Sequence, residues 1–311
     1  MEFKREYDEH FKIILLGDNA VGKSCLMLTY CGGTLHLSDE YMDTMGVDQQ
    51  IKKVNAFNKK IQLRIWDASG APKLQEKVIG SYFSSVDGAL ICFDLTRIET
   101  LQHTRKYVEH LRATKKDAPM IIIGCKADLD QRRAISAEQA KDFANELGLD
   151  YLEVSALKKV NIDEPFTRIL KQIYIYKQLN KVKPTLEGYL NDYLKFTNPK
   201  NQANFFIEQG VSLSKEEEKL RAEYKTLFGK LFACRSIEDL VELCGKASEY
   251  LENANDLHER DNPVLSSFVS SPLSKALKQT LNVLTNMLGE MMGISTTKAL
   301  IAQRKTVAHA L

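Results

Sequence analysis

The chain has 311 residues, enough for two domains of ordinary size, and 44% apolar with 27% charged residues describes a folded globular protein rather than a disordered one. Its 43 basic and 41 acidic residues leave a formal charge of +2, which gives no footing for nucleic acid as a partner. No run of about 18 apolar residues exists, so no transmembrane segment is expected.

The first residues, Met1-Glu2-Phe3-Lys4-Arg5-Glu6, carry charges where a secretory leader needs an apolar core. Six cysteines lack any C-x-x-C spacing, which argues against zinc and for reduced thiols in a cytoplasmic setting. The apolar run from Phe11 to Leu16 then leads into Gly17-Asp18-Asn19-Ala20-Val21-Gly22-Lys23-Ser24, and an amphipathic run from Cys25 follows. Strand, glycine-bounded loop, Lys-Ser and helix are the context of a phosphate-binding loop. The N–H groups of Asn19, Ala20, Val21, Gly22 and Cys25 can turn toward one anion, aided by the positive end of the helix. Lys23 is predicted to reach the terminal phosphates, and Ser24 to place its hydroxyl on Mg²⁺.

Thr44 follows in a loop, where a hydroxyl can complete Mg²⁺ coordination, although a loop threonine alone is more often simply solvated. Val47 to Val54 and Ile61 to Trp66 read as a hairpin around Asn58-Lys59-Lys60. Trp66-Asp67-Ala68-Ser69-Gly70 ends that strand. Asp67 can hold a water on the same Mg²⁺, and the Gly70 N–H can meet a γ-phosphate; taken alone, Asp67 also reads as a turn or cap residue. Ala89 to Phe93 and Met120 to Gly124 are continuous apolar runs, as in strands buried on both faces. Tyr107 to Leu111 and Ala140 to Leu147 read as helices, the second opened by a capping box of Ser136 and Gln139. The pattern is α/β with a mostly parallel sheet, which binds ligands at the carboxyl ends of its strands.

Two more strand ends carry chemistry. After Cys125 come Lys126, Asp128 and Leu129. The Asp128 carboxylate can accept two in-plane hydrogen bonds from guanine that adenine cannot supply, and the Lys126 stem can lie along the base. After the last strand come Ser155, Ala156 and Leu157, where a backbone N–H can meet the guanine oxygen.

These motifs, with Thr44-Met45-Gly46-Val47-Asp48, Ile61-Gln62-Leu63-Arg64-Ile65-Trp66-Asp67 and Ser81-Tyr82-Phe83 through Asp87-Gly88-Ala89, resemble a small GTPase of the Ras superfamily, and within it the Rab family. The resemblance covers residues 8 to about 178. It implies a six-stranded sheet with helices on both faces, GTP/GDP and Mg²⁺ as ligands, and a switch for vesicle or membrane traffic. Effectors or regulators would read switch loops 36–48 and 69–83.

Departures from the family are chemically pointed. Ala71 stands where the family has the Gln that orients the attacking water, so hydrolysis is expected at or below about 10⁻⁴ s⁻¹. Gln75 and Glu76 are the nearby candidates to replace it. Asn19 crowds the γ-phosphate side of the loop. Cys125 replaces an Asn, and Leu37 an aromatic ring over the base, which predicts weaker guanine binding. These features keep a second reading open: a non-hydrolysing mimic or scaffold that sequesters Rab partners. A different P-loop phosphotransferase is the third, opposed by Asp128 with Ser155 and Ala156.

Asn180 to Thr185 reads as a break after a GTPase domain of residues 1–180. Residues 185–311 read as an all-α domain, with Leu220, Tyr224, Leu227 and Leu231, then Leu277, Leu281, Leu284, Leu288 and Met291, at helical spacing. These stripes are either a bundle core or an exposed seam for a partner helix or membrane surface. No prenylation signal closes the chain, so any membrane contact is expected to be peripheral and by another route. The architecture also suits a protein delivered into a host cytosol by an intracellular bacterium.

Overall fold

Six strands build one sheet: β1 (Glu9–Leu16), β2 (Val47–Ala56), β3 (Lys59–Ala68), β4 (Gly88–Asp94), β5 (Met120–Cys125) and β6 (Asp150–Val154). The α-helices among the described residues include α1 (Lys23–Cys31), α2 (Ile98–Thr114), α3 (Ala137–Glu146) and α4 (Asp163–Phe196). The computed structural model describes residues 6–33, 47–68 and 84–196, and in addition residues 226, 279, 282, 283 and 286, which are helical. By its contacts the chain divides into two compact units, Met1–Tyr174 and Ile175–Leu311. The helical stripes predicted beyond residue 196 lie outside the described residues.

The sheet order is β2-β3-β1-β4-β5-β6. Only β2 runs antiparallel to its neighbour. Strands β4 and β5 are buried along their whole length, as their unbroken apolar runs require. Ala89, Ile91 and Phe93 of β4 share a cluster with Tyr107, Val108 and Leu111 of α2 and Ala140 and Ala144 of α3. The alternate residues Leu90 and Cys92 are equally buried on the other face. On that face Tyr30 of α1 stacks on Phe166 of α4 at 3.7 Å between ring centroids. Each fully buried Leu, Ile or Phe contributes about 1.5–3 kcal/mol relative to exposure, so this double-sided core fixes the strand ends firmly.

Three boundaries differ from the sequence reading. The hairpin turn is Phe57-Asn58, not Asn58-Lys59-Lys60: both residues have positive φ (54° and 55°), the requirement of a two-residue turn matched to strand twist. Asn tolerates this conformation; Phe57 is held there by stacking on Tyr174 at 4.3 Å. Helix α2 begins at Ile98, well before Tyr107, because Thr100, Leu101 and Thr104 extend the buried stripe of Tyr107, Val108 and Leu111 at helical spacing. Helix α4 continues through the expected break, with Pro184 inside it. An interior proline costs about 3 kcal/mol, but the Lys, Leu and Gln residues around it are strong helix formers. Helix α3 does start at the predicted capping box, with the Ser136 hydroxyl accepting from the Gln139 N–H and the Gln139 side chain accepting from the Ser136 N–H.

Candidate functional site

Where β1 ends, the chain turns sharply over β4. Gly17 has φ +143°, and a Cβ there would stand 2.1 Å from the Cys92 carbonyl oxygen, so only glycine fits. Ala20 (φ 60°) and Gly22 (φ 112°) continue the curl into α1. That helix has no side-chain cap and no acidic residue in its first turn. Its first N–H groups and its positive dipole end therefore suit an anion. Lys23 is only 6% exposed and donates to the carbonyl oxygens of Gly17 (3.0 Å) and Asp18 (2.8 Å). Burial holds its ammonium below the usual lysine range, and the neighbouring Asp67 carboxylate offsets only part of that shift. A buried cation beside a ring of turned backbone is the chemistry of a phosphate cradle.

Parallel pairing of β1 with β3 sets Leu15 opposite Asp67. This brings Asp67, 1% exposed, beside the start of α1, where the Ser24 hydroxyl donates to its Oδ2. A hydroxyl and a carboxylate are hard oxygen donors of the type Mg²⁺ takes, so this pair fits that ion and could help to hold it, where it would add Lewis-acid charge next to bound phosphates. Thr44, Gly70 and Ala71 lie outside the described residues, as do residues 36–46 of the first switch loop and all of the second; Val47 and Asp48 open β2.

The guanine candidates come together at the ends of β5 and β6. Lys126 takes φ +64°, and the Ala127 N–H bonds the Val154 carbonyl at 3.1 Å. The buried Ser155 hydroxyl donates to Asp128 Oδ1 at 2.6 Å and accepts from the Lys158 N–H at 3.0 Å. One carboxylate oxygen of Asp128 is thereby fixed in direction. Leu129 leads into a short 3₁₀ turn (Asp130–Arg132), and beyond it Arg133 forks onto Glu153 of β6 at 3.1 and 2.6 Å. Tyr151 adds a hydrogen bond to Glu153 at 2.7 Å. The Arg133 hydrogen bond holds the Glu153 carboxyl below its usual range, against the opposing effect of burial. Ala156 is half-buried beside this frame, whereas Leu157 is exposed.

Cys125, one of the departures from the family, is a free cysteine buried beside Cys92, and that neighbour together with burial pushes its thiol far above the usual range. It stays a neutral thiol packed beneath Gly22. Cys25 lies on α1, partly exposed, with burial raising its thiol too. Asn19 contributes its carbonyl to a bond from Arg97 at 2.9 Å.

Four residues of this neighbourhood were not assigned to the site from the sequence. Asp94 ends β4, Arg97 precedes α2, and His103 and Tyr107 lie on α2. Tyr107 donates to Asp18 Oδ1 at 2.9 Å, and His103 Nδ1 meets Asp18 Oδ2 at 2.6 Å. The strand-end position of Asp94 was the one available clue, because ligands of parallel sheets gather at those ends.

Comparison with known proteins agrees with this geometry. The Ras family model matches residues 12–175. The chain is 36% identical over 186 residues to the Ras-related protein RABA4b of Arabidopsis thaliana, covering 60% of this chain and 81% of the relative. It is 35% identical over 162 residues to the Ras-related protein RABD2c of the same organism, covering 52% and 79%. Ras-related protein RABA4a, also from Arabidopsis thaliana, is 35% identical over 171 residues, covering 55% and 74%. With more than half its length matched, the chain belongs to the Ras family, and its GTPase domain is of the Rab type.

Proposed function

We propose that the protein is a GTP-binding switch of membrane traffic that holds GTP with Mg²⁺ and hydrolyses it slowly. The observation that carries the reading is that four strand ends of one sheet carry this chemistry: Lys23 and Ser24 after β1, Asp67 on β3, Asp128 after β5 and Ser155 after β6. In this reading Lys23 and the N–H groups from Asn19 to Cys25 hold the phosphates. Ser24 and Thr44 ligate Mg²⁺, with Asp67 acting through water. Asp128, Lys126 and the Ala156 N–H take the guanine, and Leu129 and Leu157 flank it. Gly70 senses the γ-phosphate. Partners read loops 36–48 and 69–83, and membrane contact is peripheral.

Slow hydrolysis rests on Ala71, whose methyl group cannot orient a water. The test has two parts. Nucleotide extracted from the purified 311-residue chain should be GTP; GDP indicates a working hydrolase, and an empty site a pseudoenzyme. Single-turnover hydrolysis should stay at or below about 10⁻⁴ s⁻¹ and rise in Ala71→Gln. A wild-type rate clearly above that scale without an activator sinks the slow-hydrolysis reading.

A further inference from the structure

Asp94 is 1% exposed at the end of β4, in register with Cys125 of β5. Both of its carboxylate oxygens are engaged. Oδ1 accepts from the Thr96 N–H at 2.9 Å and the Thr96 hydroxyl at 2.7 Å. Oδ2 accepts from Lys126 Nζ at 2.7 Å and from Arg97 Nε at 3.2 Å. Burial alone would push this carboxyl up, yet the hydrogen bonds from Lys126 and Thr96 outweigh it and hold the group below its ordinary range. Asp94 is therefore a fixed anion at neutral pH.

Arg97 has a second arm. While Nε faces Asp94, Nη2 donates to the Asn19 carbonyl at 2.9 Å, 78 residues away in the chain. The rigid guanidinium plane turns two bonds into one geometric constraint. The path Lys126–Asp94–Arg97–Asn19 thus joins the base-recognition loop to the middle of the phosphate loop. Cys125, which precedes Lys126, is a buried free thiol, and a Cβ added at Gly22 would stand 3.4 Å from its Cβ. A polar tie between the loops runs through Asp94 and Arg97.

We propose that Asp94 and Arg97 are positioning residues of the nucleotide site, which make the base loop and the phosphate loop close on a nucleotide as one unit and so set its residence time. This rests on the GTP-binding reading above. A nucleotide that bridges two rigidly coupled loops must break both sets of contacts together to leave; uncoupled loops let go in sequence. Arg97 touches no ligand in this role: it acts through the Asn19 carbonyl.

The experiment is a dissociation cycle on the full chain loaded with N-methylanthraniloyl-GDP and chased with unlabelled GDP. Arg97→Ala should release the probe about tenfold faster. Lys126→Met, which keeps the stem and loses the ammonium on Asp94, should do similarly. The double variant should fall well short of the roughly hundredfold product, because either change already cuts the same path. A merely structural role would lower the melting temperature without this non-additivity. Arg97→Lys keeps the charge but brings one ammonium to two separated acceptors, and should give an intermediate rate even if Arg97→Ala fails to fold. Multiplicative effects, or an Arg97→Lys rate equal to wild type, overturn the proposal. Wild-type protein that retains no probe overturns the GTP-binding reading itself, and that result is seen before any variant is compared.

Discussion

Tyr107→Phe removes a single oxygen from the wall of the phosphate loop, which makes it a clean probe of how α2 holds that loop. The ring is buried with Val108 and Leu111 and stays packed in the variant, so no cavity opens. What disappears is the 2.9 Å hydrogen bond to Asp18 Oδ1. A hydrogen bond to a charged acceptor is worth about 1.5–3 kcal/mol net. Asp18 keeps 22% side-chain exposure, so water recovers part of that loss, and an effect of about 1–1.5 kcal/mol is expected. If that energy bears on the nucleotide-bound loop, the nucleotide dissociates roughly five- to tenfold faster, since about 1.4 kcal/mol is a factor of ten. Melting of the loaded protein should fall by about 2–5 °C. Stopped-flow release of a fluorescent GDP and thermal unfolding monitored by circular dichroism measure the two effects. His103→Ala is the control: the His103 side chain is 57% exposed, and its pairing with Asp18 should be worth less than about 1 kcal/mol. An unchanged release rate in Tyr107→Phe, or a larger effect in His103→Ala, would refute the idea that the buried bond carries the tether.

Gly17→Ala should lower stability by about 3 kcal/mol or more, because its Cβ would meet the Cys92 carbonyl at 2.1 Å and that oxygen belongs to a buried strand; urea denaturation of the variant checks this, and a loss below about 1 kcal/mol would contradict it. Ser155→Ala frees the Asp128 carboxylate from its 2.6 Å partner and should cut the preference for GDP over inosine diphosphate severalfold, read by competition titration. Acid unfolding should report the Arg133–Glu153 fork. The folded Glu153 carboxyl titrates below its unfolded value of about 4.3, so its stabilisation is fully present above that pH and is lost as pH falls through the lower folded value. Glu153→Gln should therefore flatten the loss of stability between about pH 5 and 3, with Asp94 supplying part of what remains.

The parts of this site that were legible in the sequence are those written in contiguous residues. Glycines with Lys23 and Ser24 announce the phosphate loop, unbroken apolar runs announce β4 and β5, and Ser136 with Gln139 announces the start of α3. What escaped is written across long separations. Arg97 reaches Asn19 over 78 residues and Tyr107 reaches Asp18 over 89, and neither partner carries a local pattern that names the other. The misplaced hairpin turn has a similar cause: Phe57 is a poor residue for positive φ until Tyr174, far along the chain, supplies the stack. The proline in α4 misled in the opposite sense, since a strong local signal was overruled by the helix formers on either side.

The bare start of α1 has a thermodynamic consequence. A helix with neither a capping side chain nor an acidic first turn offers its N-terminal end to an anion. If a nucleotide is that anion, it completes the secondary structure of the protein, and folding and loading become one linked equilibrium. Each tenfold rise in free nucleotide above its dissociation constant then adds about 1.4 kcal/mol to the apparent stability. The melting temperature of such a chain is a gauge of the nucleotide pool around it, so two preparations with identical sequences and different nucleotide content would be measured as two different proteins.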